Sequence, residues 1–206
     1  MTIEERFDNG RLDTRLHWYH EPGAWHLTDS RLVLWPDGQT DFWQKTHYGF
    51  TVDTGHFLYA EVTGDFSMTT HVRFQPAHRY DQAGLMVRLA PTCWLKTAVE
   101  YEPDGPAKLG AVVTNHGYSD WSTQDYPRGR NEVALRIRRA GSDYLVEYRD
   151  DEPAEHAGGG WTQIRLAHLM DDAEGRPVAC GLYACSPTAA GYVAAFAYLT
   201  VLPGRL

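Results

Sequence analysis

Cysteine is scarce in this chain of 206 residues, which contains only three. Cys180 and Cys185 fall on opposite faces if the stretch that joins them is a β-strand, and Cys93 stands apart from both. An odd number of cysteines with this spacing predicts neither a disulfide framework nor a zinc site. We therefore expect reduced thiols, no metal or other cofactor, and a cytoplasmic location.

Long apolar runs and an excess of positive charge are also missing. No stretch approaches the roughly 18 apolar residues of a transmembrane helix. The N-terminal segment MTIEERFDNG is acidic and lacks the apolar region of a signal peptide. The formal net charge of −8 is unfavourable for contact with nucleic acid or an anionic lipid surface. We expect neither a membrane nor a nucleic acid as a partner.

Helical periodicity is nearly absent, and alternation of apolar with polar residues takes its place. FSMTTHVRF alternates from end to end, whereas WTQIRLAHLM fits either a strand or a short helix. Many short strands separated by turn signals predict a single all-β domain over residues 1–206, in which EHAGGGWTQ is a loop. In YVAAFAYLTV, alternation predicts one shared face for Val193, Ala195, Ala197, Leu199 and Val201.

One hairpin register follows from the segment NEVALRIRRAGSDYLVEYRD. Gly141 and Ser142 form its loop, because glycine suits the first loop position of a type II′ turn. Arg136 then faces Glu147, and we expect this pair to be exposed outside the sandwich. The apolar pairs expected between the sheets are Ile137 with Val146 and Leu135 with Tyr148.

Two further strands, in DQAGLMVRL and WLKTAVEYE, meet at a turn that contains proline. One face of the pair is apolar and belongs to the core. The other face combines an aromatic ring, charges of both signs and a glycine, which is typical of a ligand site as well as of a solvated sheet surface. Its members are Gln82, Gly84, Met86, Arg88, Trp94, Lys96, Ala98, Glu100 and Glu102.

The sequence resembles a known family in a series of segments, which read TDFWQKTHYGFTVDTGHFLY, YDQAGLMVRL, WLKTAVEYE, VVTNHGYSDWS and GLYACSP. The family is the "regulation of enolase protein 1"-like family of unknown function, in the concanavalin A-like lectin/glucanase superfamily. The resemblance extends from Trp18 to Val201. It implies a jelly-roll sandwich of two curved antiparallel sheets, and a fold alone does not define a function.

The resemblance also implies a site, because concanavalin A-like folds bind sugars on the concave sheet face. There, aromatic rings stack on pyranose rings, and carboxylates or amides accept hydrogen bonds from hydroxyl groups. NHGYSDWS is expected to be a loop at the rim of this sheet. The expected ligand-binding residues are Trp43, His47, Tyr48, His56, His71, Gln82, Trp94, Lys96, Glu100, Tyr118, Asp120 and Trp121.

A catalytic alternative uses the same strand. Retaining glycosidases need two carboxyl groups about 5–5.5 Å apart, which Glu100 and Glu102 would supply, and Lys96 is the alternative partner of Glu100. The hydrolases of the superfamily carry E-x-D-x-E patterns, however, where this chain reads KTAVEYE. Lys96 is also expected to lower the pKa of Glu100, which is unfavourable for a general acid. We therefore favour binding over catalysis.

A metal-binding alternative rests on His47, Asp53 and His56. The two histidines are separated by a turn and lack a tight spacing such as H-x-H. Histidines that form ordinary hydrogen bonds along a groove are the simpler interpretation, and His71 is expected to face the same groove.

Taken as a whole, the residues favour a non-catalytic module that binds a carbohydrate or a small polar ligand. The alternatives are a glycoside hydrolase or lyase that acts through Glu100, and a protein-binding regulatory domain. A deep groove favours the first two functions, and a flat apolar patch favours the third.

Overall fold

The computed structural model describes residues 1–149 and 160–204, whose regular secondary structure consists of β-strands. Residues 155–159 of the predicted loop EHAGGGWTQ lie outside the described residues. WTQIRLAHLM contains a strand rather than a helix. The strands are β1 Ile3–Glu5, β2 His17–Tyr19, β3 Ala24–Thr28, β4 Arg31–Trp35, β5 Phe42–Gln44, β6 Thr51–Asp53, β7 His56–Val62, β8 Phe66–Gln75, β9 Gln82–Ala90, β10 Cys93–Glu100, β11 Ala107–Asn115, β12 Tyr118–Tyr126, β13 Glu132–Ala140, β14 Asp143–Arg149, β15 Thr162–His168, β16 Val178–Cys185 and β17 Val193–Pro203.

Two large antiparallel sheets form a β-sandwich. The first has eight strands, in the order β15-β14-β13-β8-β17-β4-β3 with β1 beside β17, and the second has seven, in the order β12-β11-β10-β9-β16-β7-β2. The all-β prediction is confirmed. The described ranges contain no helix of the length and apolar character needed to cross a membrane.

The main core lies between the two sheets. Strands β9 and β10 contribute Leu85 and Leu95, and the β13–β14 hairpin contributes Ile137 and Val146 from the opposite sheet, all fully buried. Alternate residues of each strand point to the facing sheet, which explains why these apolar positions meet. Cys180 belongs to this core and Cys185 to a second cluster, so the prediction that they lie on opposite faces of one strand is confirmed.

The β13–β14 hairpin has the predicted register, with Arg136 opposite Glu147 and both apolar pairs aligned. Leu135, Ile137 and Val146 are fully buried as predicted, whereas Tyr148 is only partly buried against the core. Gly141 has a φ of 62°, which fits the first loop position of a type II′ turn. The expected exposure of the charged pair is wrong, because the side chain of Glu147 is only 6% exposed. Arg136 and Arg138 both bond to this carboxylate and cover it.

Strand β17 departs from the predicted alternation. A β-bulge at Ala197 shifts its register against β8, so that Phe196 before the bulge and Leu199 after it are both fully buried. One extra residue reverses the parity of every position on the other side of it. The prediction that Val193, Ala195 and Ala197 share a face with Leu199 and Val201 is therefore wrong.

A two-stranded sheet, β5–β6, packs on the outer face of the seven-stranded sheet. Its residues Phe42 and Trp43 form a second buried cluster with Met86, Trp94 and Tyr183 of the sheet below. Strands β9 and β10 are therefore buried on both faces along most of their length. The candidate site lies at the edge of this added layer.

Candidate functional site

The β5–β6 hairpin is attached to the seven-stranded sheet by ion pairs near both of its ends. Asp41, which precedes β5, accepts a hydrogen bond from Lys96 Nζ at 3.1 Å. Asp53, at the end of β6, accepts two bonds from the guanidinium of Arg88, at 3.0 and 2.8 Å. Charge-assisted bonds of this kind are the stronger hydrogen bonds of proteins. They hold the hairpin across the sheet, beside the end of β10.

A cavity of about 220 Å³ lies between the hairpin and the sheet. Several of its aromatic side chains are open to solvent, since Tyr48 is 49% exposed, Phe50 45% and Tyr80 37%. The sheet contributes polar groups, and the hairpin contributes most of the rings. The complete lining is Asp41, Trp43, Tyr48, Phe50, Tyr80, Gln82, Lys96, Glu100, Trp121 and Pro187.

Neighbouring groups fix the polar side chains of the cavity. Gln82 donates from Nε2 to the carbonyl of Tyr80, and its Oε1 accepts from the hydroxyl of Tyr183, both at 3.0 Å. Burial acts to lower the pKa of Lys96. Attraction by Asp41 and by other nearby acidic groups acts more strongly in the opposite direction, so the pKa is raised. Lys96 therefore keeps its positive charge at neutral pH.

Glu100 lies at the end of β10, directly opposite Gln82 of β9. Burial raises the pKa of Glu100 to about 7, although Lys96 acts to lower it, and repulsion from Asp41 adds to the rise. Lys96 therefore acts on this pKa in the expected direction, but the expected net lowering is wrong, because desolvation is the larger effect. Near neutral pH the group is present in both the protonated and the ionised form.

A neighbouring cavity of about 480 Å³ shares Trp43, Tyr48 and Trp121 with the first. It adds His47, from the turn of the hairpin, and Tyr118, which is 61% exposed. The two cavities together form an aromatic-lined surface that follows the hairpin from Glu100 towards β12.

The segment NHGYSDWS is predicted to be a loop at the rim of the sheet, but in the structure it is a β-hairpin. It contains the end of β11, a turn at His116 and Gly117 with positive φ at both positions, and the start of β12. Ser119 Oγ accepts a hydrogen bond from the backbone of β5 at 2.9 Å and so supports the cavity wall. The side chain of Asp120 pairs with Arg165 at 3.3 Å, although Asp120 also borders the second cavity.

Three predicted site residues do not line either cavity. Trp94 is fully buried beneath the hairpin. His56 is 3% exposed; its Nδ1–H donates to the carbonyl of His20 at 2.7 Å, and its Nε2 accepts from the backbone N–H of Asp37 at 3.0 Å. His71 is buried on β8 of the other sheet, on the side away from the core. Sequence proximity and strand parity placed these residues in the groove, whereas the added layer and the sheet order separate them from it.

Glu100 and Glu102 do not share a site. Strand β10 ends at Glu100, and Glu102 beyond it pairs with Arg79 at 2.8 Å. Glu102 lines a different cavity from Glu100. The catalytic alternative that joins these two carboxyl groups is therefore wrong, because the parity that placed them together holds only within a continuous strand.

The residues of the metal-binding alternative are engaged separately. Asp53 is bound by Arg88 and by the hydroxyl of Tyr19, at 3.0 Å for the latter, and His56 is bound by backbone groups. Across residues 1–149 and 160–204, no group of three or more His, Cys, Asp or Glu side chains is placed to hold a metal ion.

Asp41, Phe50 and Tyr80 also line the cavity, although no sequence pattern singled them out. Asp41 and Phe50 flank the same short hairpin that contains Trp43. A prediction that treats this hairpin as one unit would therefore include both residues. Tyr80 has a φ of 70°, which is uncommon for a residue other than glycine and follows from no local pattern.

The presence of glycine at position 84, inside strand β9, has a structural reason that involves no ligand. A Cβ atom at this position would lie 2.0 Å from the carbonyl oxygen of Thr97 on the adjacent strand. The glycine permits close approach of another backbone, which is the ordinary reason for glycine inside a strand.

The fold and the cavity define a β-sandwich protein with an aromatic-lined cavity on the outer face of one sheet. Residues 18–203 match a family model described as "Protein of unknown function (DUF1349)", and the chain belongs to this family. It is 34% identical over 179 residues to "Regulation of enolase protein 1" of Saccharomyces cerevisiae, which covers 87% of this chain and 85% of the relative.

Solved structures agree with the fold. A protein described as functionally unknown, from Saccharomyces cerevisiae, superposes with a TM-score of 0.82 at 30% identity, over 94% of this chain and 98% of the other. The GH43 BlXynB protein from Bacillus licheniformis gives a TM-score of 0.73 at 17% identity, over 98% of this chain but only 39% of the other. At that identity the second likeness concerns the fold alone.

Proposed function

We propose that the protein is a non-catalytic binding module that holds a carbohydrate or another small polar ligand in the cavity beside the β5–β6 hairpin. The proposal rests on one observation. Exposed aromatic rings, the carboxyl of Glu100 and the Lys96–Asp41 pair all line this cavity. Rings offer faces for stacking, and a few fixed polar groups orient a ligand. The proposal includes a concanavalin A-like assignment of the sandwich and a cytoplasmic location.

Exposed aromatic rings support this proposal. Four aromatic side chains that line one or both of the cavities are more than a third exposed, namely Tyr48, Phe50, Tyr80 and Tyr118. Large apolar side chains gathered in one open place are typical of interaction sites. Their arrangement around a concavity favours a small ligand over a protein partner, which would need a flatter surface.

Screening against a glycan array, followed by calorimetric titration of the hits, tests the proposal. Glu100→Gln is expected to weaken binding by about one to two decades, because a lost hydrogen bond to a charged group costs about 1.5–3 kcal/mol. Glu102→Gln is the matched control, since Glu102 follows Glu100 closely but lines another cavity. Equal losses in the two variants, or the absence of any ligand, would contradict the proposal.

A hydrolytic or lyase function is the second candidate, and the pKa of about 7 at Glu100 favours it. A general acid works best with a pKa near the working pH, and Lys96 lines the same cavity. Measurement of reducing ends released from oligosaccharides separates the two functions. Sustained cleavage that disappears in Glu100→Gln would establish the enzyme in place of the binding module.

A further inference from the structure

We propose that the part of the ligand that enters the cavity carries a positive charge, as an amine or a quaternary ammonium group, which is held between aromatic rings and the carboxylate of Glu100. This inference rests on the proposed function and names the class of ligand. A sugar that carries an amino group would meet both proposals, and so would a simple organic cation.

The arrangement of the rings is the first argument. Trp43 and Tyr48 meet edge to face, with centroids 5.5 Å apart and an interplanar angle of 63°. Tyr48 and Phe50 are stacked at 5.7 Å and 22°. Trp43 is therefore inclined to the stacked pair of Tyr48 and Phe50 instead of forming one flat platform with it, and Tyr80 and Trp121 add two further rings to the lining. Several π faces around one space are the arrangement that attracts ammonium groups.

The balance of charge in the cavity is the second argument. Lys96 and Asp41 neutralise each other in a direct ion pair at 3.1 Å. Glu100 also lines the cavity; Lys96 attracts its carboxylate, but within the described part of the chain no side chain or backbone group donates a hydrogen bond to it. An ionised carboxylate in a desolvated place needs a compensating charge or donor. A cationic ligand supplies that compensation, whereas a neutral ligand supplies only hydrogen bonds.

Protonation of Glu100 makes this binding depend on pH. Burial raises the pKa of Glu100 to about 7, so the ionised form that attracts a cation grows as the pH rises through neutrality. Over the same range Lys96 stays charged, and Tyr183 and Cys185 stay neutral, because their pKa values are all raised. The titratable groups that face Glu100 from the surrounding elements are Asp41, Tyr48, Tyr80, Lys96, Tyr183 and Cys185.

Pairs of ligands that differ in charge but hardly in shape test the inference. Choline is compared with 3,3-dimethylbutan-1-ol, and ethanolamine with ethane-1,2-diol, by calorimetric titration of the full chain at pH 6, 7 and 8, where both cations keep their charge. The charged member is expected to bind about tenfold tighter or more at pH 8, and this preference should shrink at pH 6. Glu100→Gln is expected to remove the preference and its pH dependence, and the Glu102→Gln control is expected to keep both.

Tyr48→Ala provides a second variant, because its half-exposed ring is removed without opening the core. It should weaken the charged ligands more than the neutral ones. Equal affinity for the two members of each pair would overturn the inference and leave the proposed function standing. A cation preference that survives in Glu100→Gln would overturn it as well. Failure of all four ligands would overturn the inference, and the glycan array then decides separately on the proposed function.

Discussion

Lys96 Nζ and Asp41 Oδ1 lie 3.1 Å apart and join strand β10 to the residue that precedes strand β5. The side chain of Lys96 is 2% exposed and that of Asp41 20%, so the pair is largely removed from water. Because the same lysine lines the cavity, one contact both attaches the hairpin and sets the charge around Glu100. The candidate site and the stability of the added layer are therefore linked.

Lys96→Met should destabilise the protein by about 3 kcal/mol, because it leaves Asp41 without its partner in a desolvated place. The free energy of unfolding from urea denaturation measures the effect. Lys108→Met is the control, since its partner Asp125 is 68% exposed and an exposed pair contributes about 0–1 kcal/mol. Similar losses in the two variants would mean that the Lys96–Asp41 pair is not a buried attachment.

Stability should fall as the pH rises through 7 because of Glu100. Its pKa is raised from 4.5 to about 7 in the folded protein, so the folded state binds the proton more tightly than the unfolded chain. The resulting stabilisation is complete below pH 4.5 and is lost as the pH rises through 7, by up to about 3 kcal/mol.

Glu100→Gln removes the ionisation and should melt at a higher temperature than the wild type at pH 8. At pH 5 the two proteins should melt at similar temperatures. Thermal melts of both proteins between pH 5 and 8 measure this difference. A variant that is less stable than the wild type at pH 8 would show that the ionised carboxylate is compensated after all.

Trp94→Ala should act on stability, with a cost of about 3–5 kcal/mol, because the indole is fully buried in the second cluster. Trp121→Ala should cost less, because that ring is partly exposed, and should weaken ligand binding instead. Thermal melts and ligand titrations of both variants separate the two roles. The reverse pattern would show that Trp94 is the binding platform expected from strand parity.

Ile137→Ala should cost about 2–5 kcal/mol, because it opens a cavity between the two sheets. Arg136→Ala on the other face should cost clearly less, since Arg138 still bonds to Glu147. Urea denaturation of the two variants measures the difference. Equal costs would contradict the assignment of faces in this hairpin.

Local pattern determined much of the fold. Alternation predicted the strands, and the loop at Gly141 and Ser142 fixed the register of β13 and β14. Gln82 and Glu100 were predicted on adjacent antiparallel strands, and they are direct neighbours across β9 and β10. These features follow from sequence because a strand alternates its faces and a tight turn sets its pairing. The bulge at Ala197 is not predicted by the same pattern, because an alternation of small residues does not reveal where an extra residue is inserted into a strand.

Tertiary structure alone decided which open sheet face carries the candidate site. Lys96 and Asp41 are 55 positions apart in the chain, and nothing in the alternation of β9 and β10 shows that a hairpin covers their outer face. That cover buries Trp94 and lines a cavity with Tyr48 and Phe50. It also reverses the expected pKa shift of Glu100, because desolvation depends on everything packed around the carboxyl and the sequence shows only its neighbours along the strand.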